Sequence, residues 1–392
     1  MLEPLTPRSA QSLLSPSARV LAAAAAPDAG VSRAAMLPWS DVHWPTLISL
    51  TSFERAEAQV FRLLRAAPVG AVPEDVHHAM QGICRVAVFR GVELAEAAER
   101  AADALDSAGV EVLWLKGAAL AMQSAEDFGL RSMGDLDLLV APERHAAART
   151  ALVAAGWRDG GADVSYVGHH HDVPLTWRGG IRLELHTGLF PPGHPFLAEP
   201  ASAWLARSVA VRWGEREVRV LPRSWHLVHA SVHWAWNHEG EVGSWQYLHD
   251  VQWLRAGSDM ANWTDVTSAT KVLGAEIPVG WALWAASRLS DLQVPDAVVA
   301  SLRSRGWFAG LAEREWVLRS FFSPAASPSI TWSRYWWRRA MRGLGDDAAA
   351  WPWVLGRSGV ASPSEVVVAE RGRSVATLAQ RWRRHLARVL RG

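Results

Sequence analysis

The sequence predicts an α/β (α+β) protein: a mixed, twisted sheet flanked by N- and C-terminal helical subdomains. Three observations predict it. Apolar residues recur at three- and four-residue steps before Gly109; short apolar runs bounded by glycines occupy 109–221; helical spacing resumes after Pro222.

Each element follows in chain order. Residues 1–40 are rich in Ala, Ser and Pro without a sustained period, so a flexible or loosely docked leader is expected there. The short apolar run Val20 to Ala26 has no lysine before it and an early Glu3, which argues against an export signal. A helical N-terminal subdomain is expected over 41–108. Leu47, Leu50, Phe53, Ala56 and Val60 to Leu64 carry the first helical spacing, Pro68 and Pro73 break it, and Glu74 to Ser107 forms one long helix.

The α/β core is expected over 109–221. Val110 to Leu115 reads as a buried strand, with a helix opening at Gly117. Leu136 to Val140 is a second strand, and a helix runs from Pro142 to near Gly156. Extended runs follow at Val164 to Gly168, Asp172 to Trp177 and Ile181 to His186. Gly179-Gly180 marks a hairpin, and Gly214-Glu215 marks another within 208–221. Residues 222–322 read as a second helical subdomain, and 323–392 as a linker and a basic tail with a helix over Ser374 to Arg391.

Composition narrows the function classes. With 392 residues, 49% hydrophobic and 20% charged, the chain has material for a large core and is not broadly disordered. No run of 18 uncharged apolar residues offers a transmembrane helix. A single cysteine, Cys84, excludes a disulfide framework and a multi-thiolate zinc site, and a reducing, cytoplasmic setting is expected. The net charge of +1 conceals an asymmetry: residues 331–392 hold twelve Arg against four acids. Lys116 and Lys271 are the only lysines, so a lysine here is a rare choice. Many of the 23 Trp are expected half-buried on helix faces, where the N–H finds a partner.

The chemistry concentrates in the core. Asp135 and Asp137 alternate with Leu136 and Leu138, so a strand would place both carboxylates on one face. Like charges at that spacing call for a cation, and Mg²⁺ takes one or two carboxylates plus substrate phosphates. Upstream, the strand–Lys116–Gly117–helix junction would aim backbone N–H groups at a phosphate. Glu184, in Arg182-Leu-Glu-Leu-His-Thr187, is the candidate third acid, sharing its face with Arg182 and His186. Three carboxylates from two strands would hold two Mg²⁺ ions. Arg131 has two open readings, pairing with Asp135 or Asp137, or binding a triphosphate. Beside these, Ser132 and His186 join Lys116, Gly117, Ala118 and Arg131 as candidate nucleotide-binding residues.

LKGAALA, then GLRSMGDLDLLV, then RLELHTGL resemble the bacterial "uncharacterised nucleotidyltransferase" family of the DNA polymerase β-like nucleotidyltransferase superfamily. The resemblance spans about residues 40–300 and takes in His229, His233, Trp245-Gln-Tyr-Leu-His-Asp250 and Trp263. It implies a nucleotidyltransferase-like fold, Gly117 and Ala118 in place of a Gly-Ser turn, Asp135 and Asp137 as the metal pair and Glu184 as the third carboxylate. It further implies Mg²⁺ (or Mn²⁺) and an NTP as substrate. Two departures stand out: Lys-Gly-Ala replaces Gly-Ser, with Lys116 as the substitute phosphate contact, and the third acid is Glu.

Other residues pull toward other functions. His226, His229 and His233 share a helix face at i, i+3, i+7. A zinc hydrolase built on them lacks a Glu base in sequence, so packing roles are favoured over a ligand role. From the His169-His170-His171 run, one or two imidazoles are expected at the site that holds Glu184. Trp332 to Arg342 mixes cations with aromatics, as in segments that dock RNA or lie at an anionic membrane surface; docking on the protein's own acidic body is favoured, with nucleic acid second. The expectation is therefore a Mg²⁺-dependent nucleotidyltransferase with an unknown acceptor, the alternative being an inactive nucleotide-binding or RNA- or partner-docking protein with the same fold.

Overall fold

The computed structural model describes residues 14–26, 32–123, 128–161, 171–190, 196, 199–238, 240, 243–256, 260–290 and 292–302. The expected strand at 164–168, His169, His170, the linker and the basic tail lie outside the described residues.

The chain opens with α1 (Pro16–Ala24), α2 (Trp44–Phe53), α3 (Glu57–Arg65) and the 34-residue α4 (Glu74–Ser107). Within the expected flexible or loosely docked leader, Pro16–Ala24 form α1, which packs Val20, Leu21 and Ala24 into the core. Ser15 accepts a hydrogen bond from the Ala18 N–H and Pro16 starts the helix, an N-terminal pairing that suits each residue.

The core strands and helices follow: β1 (Val112–Leu115), α5 (Lys116–Gln123), β2 (Asp135–Val140), α6 (His145–Ala154), β3 (Leu175–Trp177) and β4 (Ile181–His186). After α7 (Ala201–Arg207), the hairpin of β5 (Val209–Trp213) and β6 (Arg216–Val220) completes a six-stranded mixed sheet of order β3-β4-β2-β1-β6-β5. The two expected hairpins are present. Gly179 and Gly180 sit at φ 66° and 75° between β3 and β4, and Gly214 at φ 61° between β5 and β6. Four helices follow, α8 (Arg223–Val232), α9 (Ser244–Leu254), α10 (Trp263–Leu273) and α11 (Glu276–Leu289), and then α12 (Asp296–Leu302). His233–Asn237 extends α8 by a π-helical turn.

Period-2 alternation assigns the two sheet faces to two cores. Trp114, Leu136, Leu138, Leu183 and Leu185 pack against Leu94, Ala98 and Leu105 of α4 and Leu152 of α6. Leu113, Leu115 and Leu139 point the other way, into the cluster that holds Leu227 and Val228 of α8 and Trp245 and Leu248 of α9. Among the described residues, Trp44, Trp225, Trp253 and Trp263 are half-buried on helices as expected, whereas Trp114, Trp157, Trp204, Trp245 and Trp281 go deeper and are fully buried. Arginine covers several of the rings; the Arg207 guanidinium lies 4.8 Å from the Trp204 ring and 4.2 Å from that of Trp225. Among the described residues, no helix is long and apolar enough to cross a membrane.

Candidate active site

Strand register builds the site. β2 and β4 run parallel with Asp135 opposite Arg182, Asp137 opposite Glu184 and Leu139 opposite His186. Paired residues on adjacent strands present their side chains to one face, so the acids expected on one face do lie there together. On the other flank β1 runs antiparallel to β2 with Leu115 opposite Asp137, and the chain turns into α5 at the next residue. Lys116 makes that turn at φ 48°, the left-handed region, and His226 hydrogen-bonds its backbone. Its ammonium returns to the sheet and donates to Asp137 Oδ1 at 2.6 Å.

Asp137 is 3% exposed and Glu184 8%. Burying two carboxylates this close demands compensation. The same Asp137 oxygen also accepts from His186 Nε2 at 2.8 Å, and His186 is 1% exposed. Arg182 donates to Glu184 Oε1 at 2.9 Å, and His171 Nε2 lies 3.8 Å from Glu184 Oε2. Burial alone would raise Asp137, but the Lys116 and His186 contacts outweigh it and hold the carboxyl well below the usual carboxylate range. Glu184 goes the other way: burial, reinforced by the charge of Asp137, pushes it up to about 7. Asp135 is raised by burial and by Asp137. Burial brings His186 down to about 4, so its imidazole is neutral at pH 7.

Among the described residues, Asp137, Glu184 and His186 form the group of three whose ligand atoms all lie within 4.8 Å of one another. These donors suit a divalent cation, and the ammonium of Lys116 already stands against them as a positive charge. Asp135 lines the same cavity but is not in that group.

The cavity measures about 590 Å³. Its sheet side carries Lys116, Gly117, Asp135, Asp137, Glu184 and His186. Its helical side carries His226, His229, His233, His238, Tyr247 and Asp250. The helix-face histidines thus look into the acid cavity, with burial holding His226 and His238 down at about 4 and His229 at about 3. They are neutral polar walls at pH 7. Among the described residues they do not form a three-ligand group of their own.

The remaining expected site residues divide. Gly117 lines the cavity, and a Cβ there would sit 2.3 Å from Arg131 Nη1, so glycine is what lets that guanidinium cross the start of α5. Arg131 pairs with neither Asp135 nor Asp137. Its Nε and Nη2 donate to the two oxygens of Asp250, each at 2.7 Å, because the 128–134 loop folds against α9. Burial would raise Asp250, yet Arg131 holds it down at about 2. The Ala118 methyl is packed in the core with Trp114 and Leu136, leaving only backbone to face a ligand. Ser132 lines a separate cavity with Arg55 and Met133, and its carbonyl accepts from Gln246 Nε2 at 3.0 Å. His171 reaches Glu184, as expected of at least one residue in its histidine run. Arg55, which no sequence signal marked, also lines the cavity, as do Gln246 and Tyr247, which entered only within the Trp245–Asp250 segment of the resemblance. For Asp250 the signal was that it is the one carboxylate in α9.

No curated protein and no solved structure matches the chain at a significant level. A protein family does, over residues 40–291, a span that contains the whole acid cluster, the Lys116 turn and the histidine helix. The chain belongs to the family described as "Uncharacterised nucleotidyltransferase".

Proposed function

We propose that the protein transfers a nucleoside monophosphate from an NTP to an acceptor hydroxyl with the help of a divalent cation, Mg²⁺ in the simplest case. Membership in a nucleotidyltransferase family gives the general activity. The observation that carries the finer reading is the register of β2 on β4, which sets Asp137 beside Glu184 with Lys116 and His186 on the same oxygen.

In this reading Asp137 and Glu184 hold the cation, and Asp135 is a further carboxylate on the same strand face. Such an ion neutralises phosphate charge and polarises the reacting phosphorus. The chain's own groups do the positioning. Lys116, which pairs with Asp137, lends its charge to the incoming triphosphate, and the first backbone N–H groups of α5 face the same anion. Gly117 keeps that approach free of a side chain. Arg131, fixed by Asp250, stands above it as a held positive charge. Glu184 accepts the proton of the attacking hydroxyl, which bonds to the α-phosphorus as pyrophosphate leaves. The neutral histidine wall excludes bulk water without competing as a charge.

The test uses NTP labelled at either the α- or the γ-phosphorus, incubated with purified protein and fractionated cell extract. The reading expects α-label in a new product, release of pyrophosphate, and neither with Asp137→Asn. Transfer of the γ-label instead would mean a phosphoryl transferase and would overturn it.

A further inference from the structure

The two carboxylates of the proposed cation site do not stand alone. His186 Nε2 lies 2.8 Å from Asp137 Oδ1 and 3.7 Å from Glu184 Oε2. All three ligand atoms fall within 4.8 Å of one another. First-row divalent ions bond imidazole nitrogen and carboxylate oxygen at about 2.0–2.2 Å, so one ion between these groups needs only small side-chain shifts. His186 sits at the end of β4, in register with Leu139 and covered almost completely, so its ring has little room to swing away from an ion held by its two neighbours. Asp135, the oxygen donor that would complete an all-carboxylate set, is not in the group.

From this geometry we infer that His186 is a ligand of the bound cation, and that the Asp137–Glu184–His186 set selects a first-row transition-metal divalent ion over Mg²⁺. The inference rests on the cation-dependent reading above and specifies its metal. Mg²⁺ is hard, requires a near-ideal octahedron and keeps several waters, which a buried nitrogen donor opposes. Mixed nitrogen and oxygen sets bind ions from Mn²⁺ onward more tightly, because affinity follows the Irving–Williams order and imidazole suits borderline metals. An ion entering here also displaces the Lys116 ammonium from Asp137, which favours the donor set with the stronger bonds.

Mn²⁺ is the probe. The full chain is loaded with Mn²⁺ without nucleotide and examined by pulsed EPR, with histidine in natural abundance and then ¹⁵N-labelled. A nitrogen coupling that changes from the ¹⁴N to the ¹⁵N pattern on labelling is expected, together with retention of Mn²⁺ against an excess of Mg²⁺. His186→Gln should abolish the coupling and weaken Mn²⁺ binding by at least about 10–100-fold, the loss that removing an outer-shell partner of a metal ligand already brings. His171→Gln should leave the coupling in place. Bound Mn²⁺ without nitrogen coupling, easy replacement by Mg²⁺, or loss of coupling in His171→Gln alone would overturn the inference while leaving the transferase reading standing. No Mn²⁺ or Mg²⁺ binding, with or without NTP, would remove both. If His186→Gln does not fold, the labelled wild-type spectra and His171→Gln still decide.

Discussion

At the scale of single residues, one oxygen organises the site. Asp137 Oδ1 accepts from Lys116 and from His186 at once, so the strand β2, the β1–α5 turn and the end of β4 meet at that atom. Asp137→Asn should lower turnover by about 10²–10³ or more, as expected when a preorganised charge at the reacting phosphate is removed, with the NTP-free fold little changed. The kinetic comparison is kcat for the transfer assay against the circular dichroism of the variant. Arg131 and Asp250 form the second focus. Truncating one partner of a buried ion pair leaves an uncompensated charge, so Asp250→Asn should cost about 3–5 kcal/mol at pH 7, read from the denaturant midpoint. The pH dependence has a definite sign. The folded carboxyl sits at about 2, below the unfolded value of about 3.9, so its stabilisation is complete above about pH 4 and lost as pH falls toward 2. The gap between wild type and Asp250→Asn should therefore be constant from pH 7 to about 4 and close below that; a gap already closing at pH 6 would contradict the assignment. Gly117→Ala tests the same contact from the other side. Its Cβ would meet a guanidinium that Asp250 prevents from yielding, at a cost of about 1–3 kcal/mol.

At the scale of elements, Glu54 shows how distant segments are tied. Placed just after α2 and 5% exposed, its carboxylate accepts from the Trp245 N–H at 2.9 Å, at the N-terminus of α9. It supplies the cap that Gly243, the residue before α9, lacks. Glu54→Ala should destabilise by about 1–2 kcal/mol through the lost cap and the bared helix terminus, measured by thermal unfolding. Many elements were legible because local signals agreed. The Glu74–Ser107 helix follows Pro73 and lacks an internal proline, and paired glycines marked the β3–β4 turn. The helix α1 was not read, although Ser15-Pro16 is a helix-start signature: its apolar run is short, and an alanine-rich segment gains its fold from a core that sequence does not display.

At the scale of the whole molecule, the site exists because a sheet face and a helix pair close on each other. The acids were legible because period 2 is local: Asp135, Asp137 and Glu184 could be assigned a face from their neighbours alone. Which residues answer Asp137 was not, since Lys116 and His186 lie 21 and 49 positions away and the register of β2 on β4 is set by long-range pairing; nor was the partner of Arg131, Asp250, which is 119 positions away. The same limit hid the turn of the histidine helix into the acid cavity, because i, i+3, i+7 spacing gives a face and not what the face meets. The central claim is that these parts form one cation-and-triphosphate centre. Calorimetric titration of each NTP into the full chain, with and without a divalent cation, tests it most directly when repeated on Asp137→Asn. The account predicts cation-dependent binding of at least one NTP that is lost in the variant. Equal binding to wild type and variant, or binding indifferent to the cation, would contradict it.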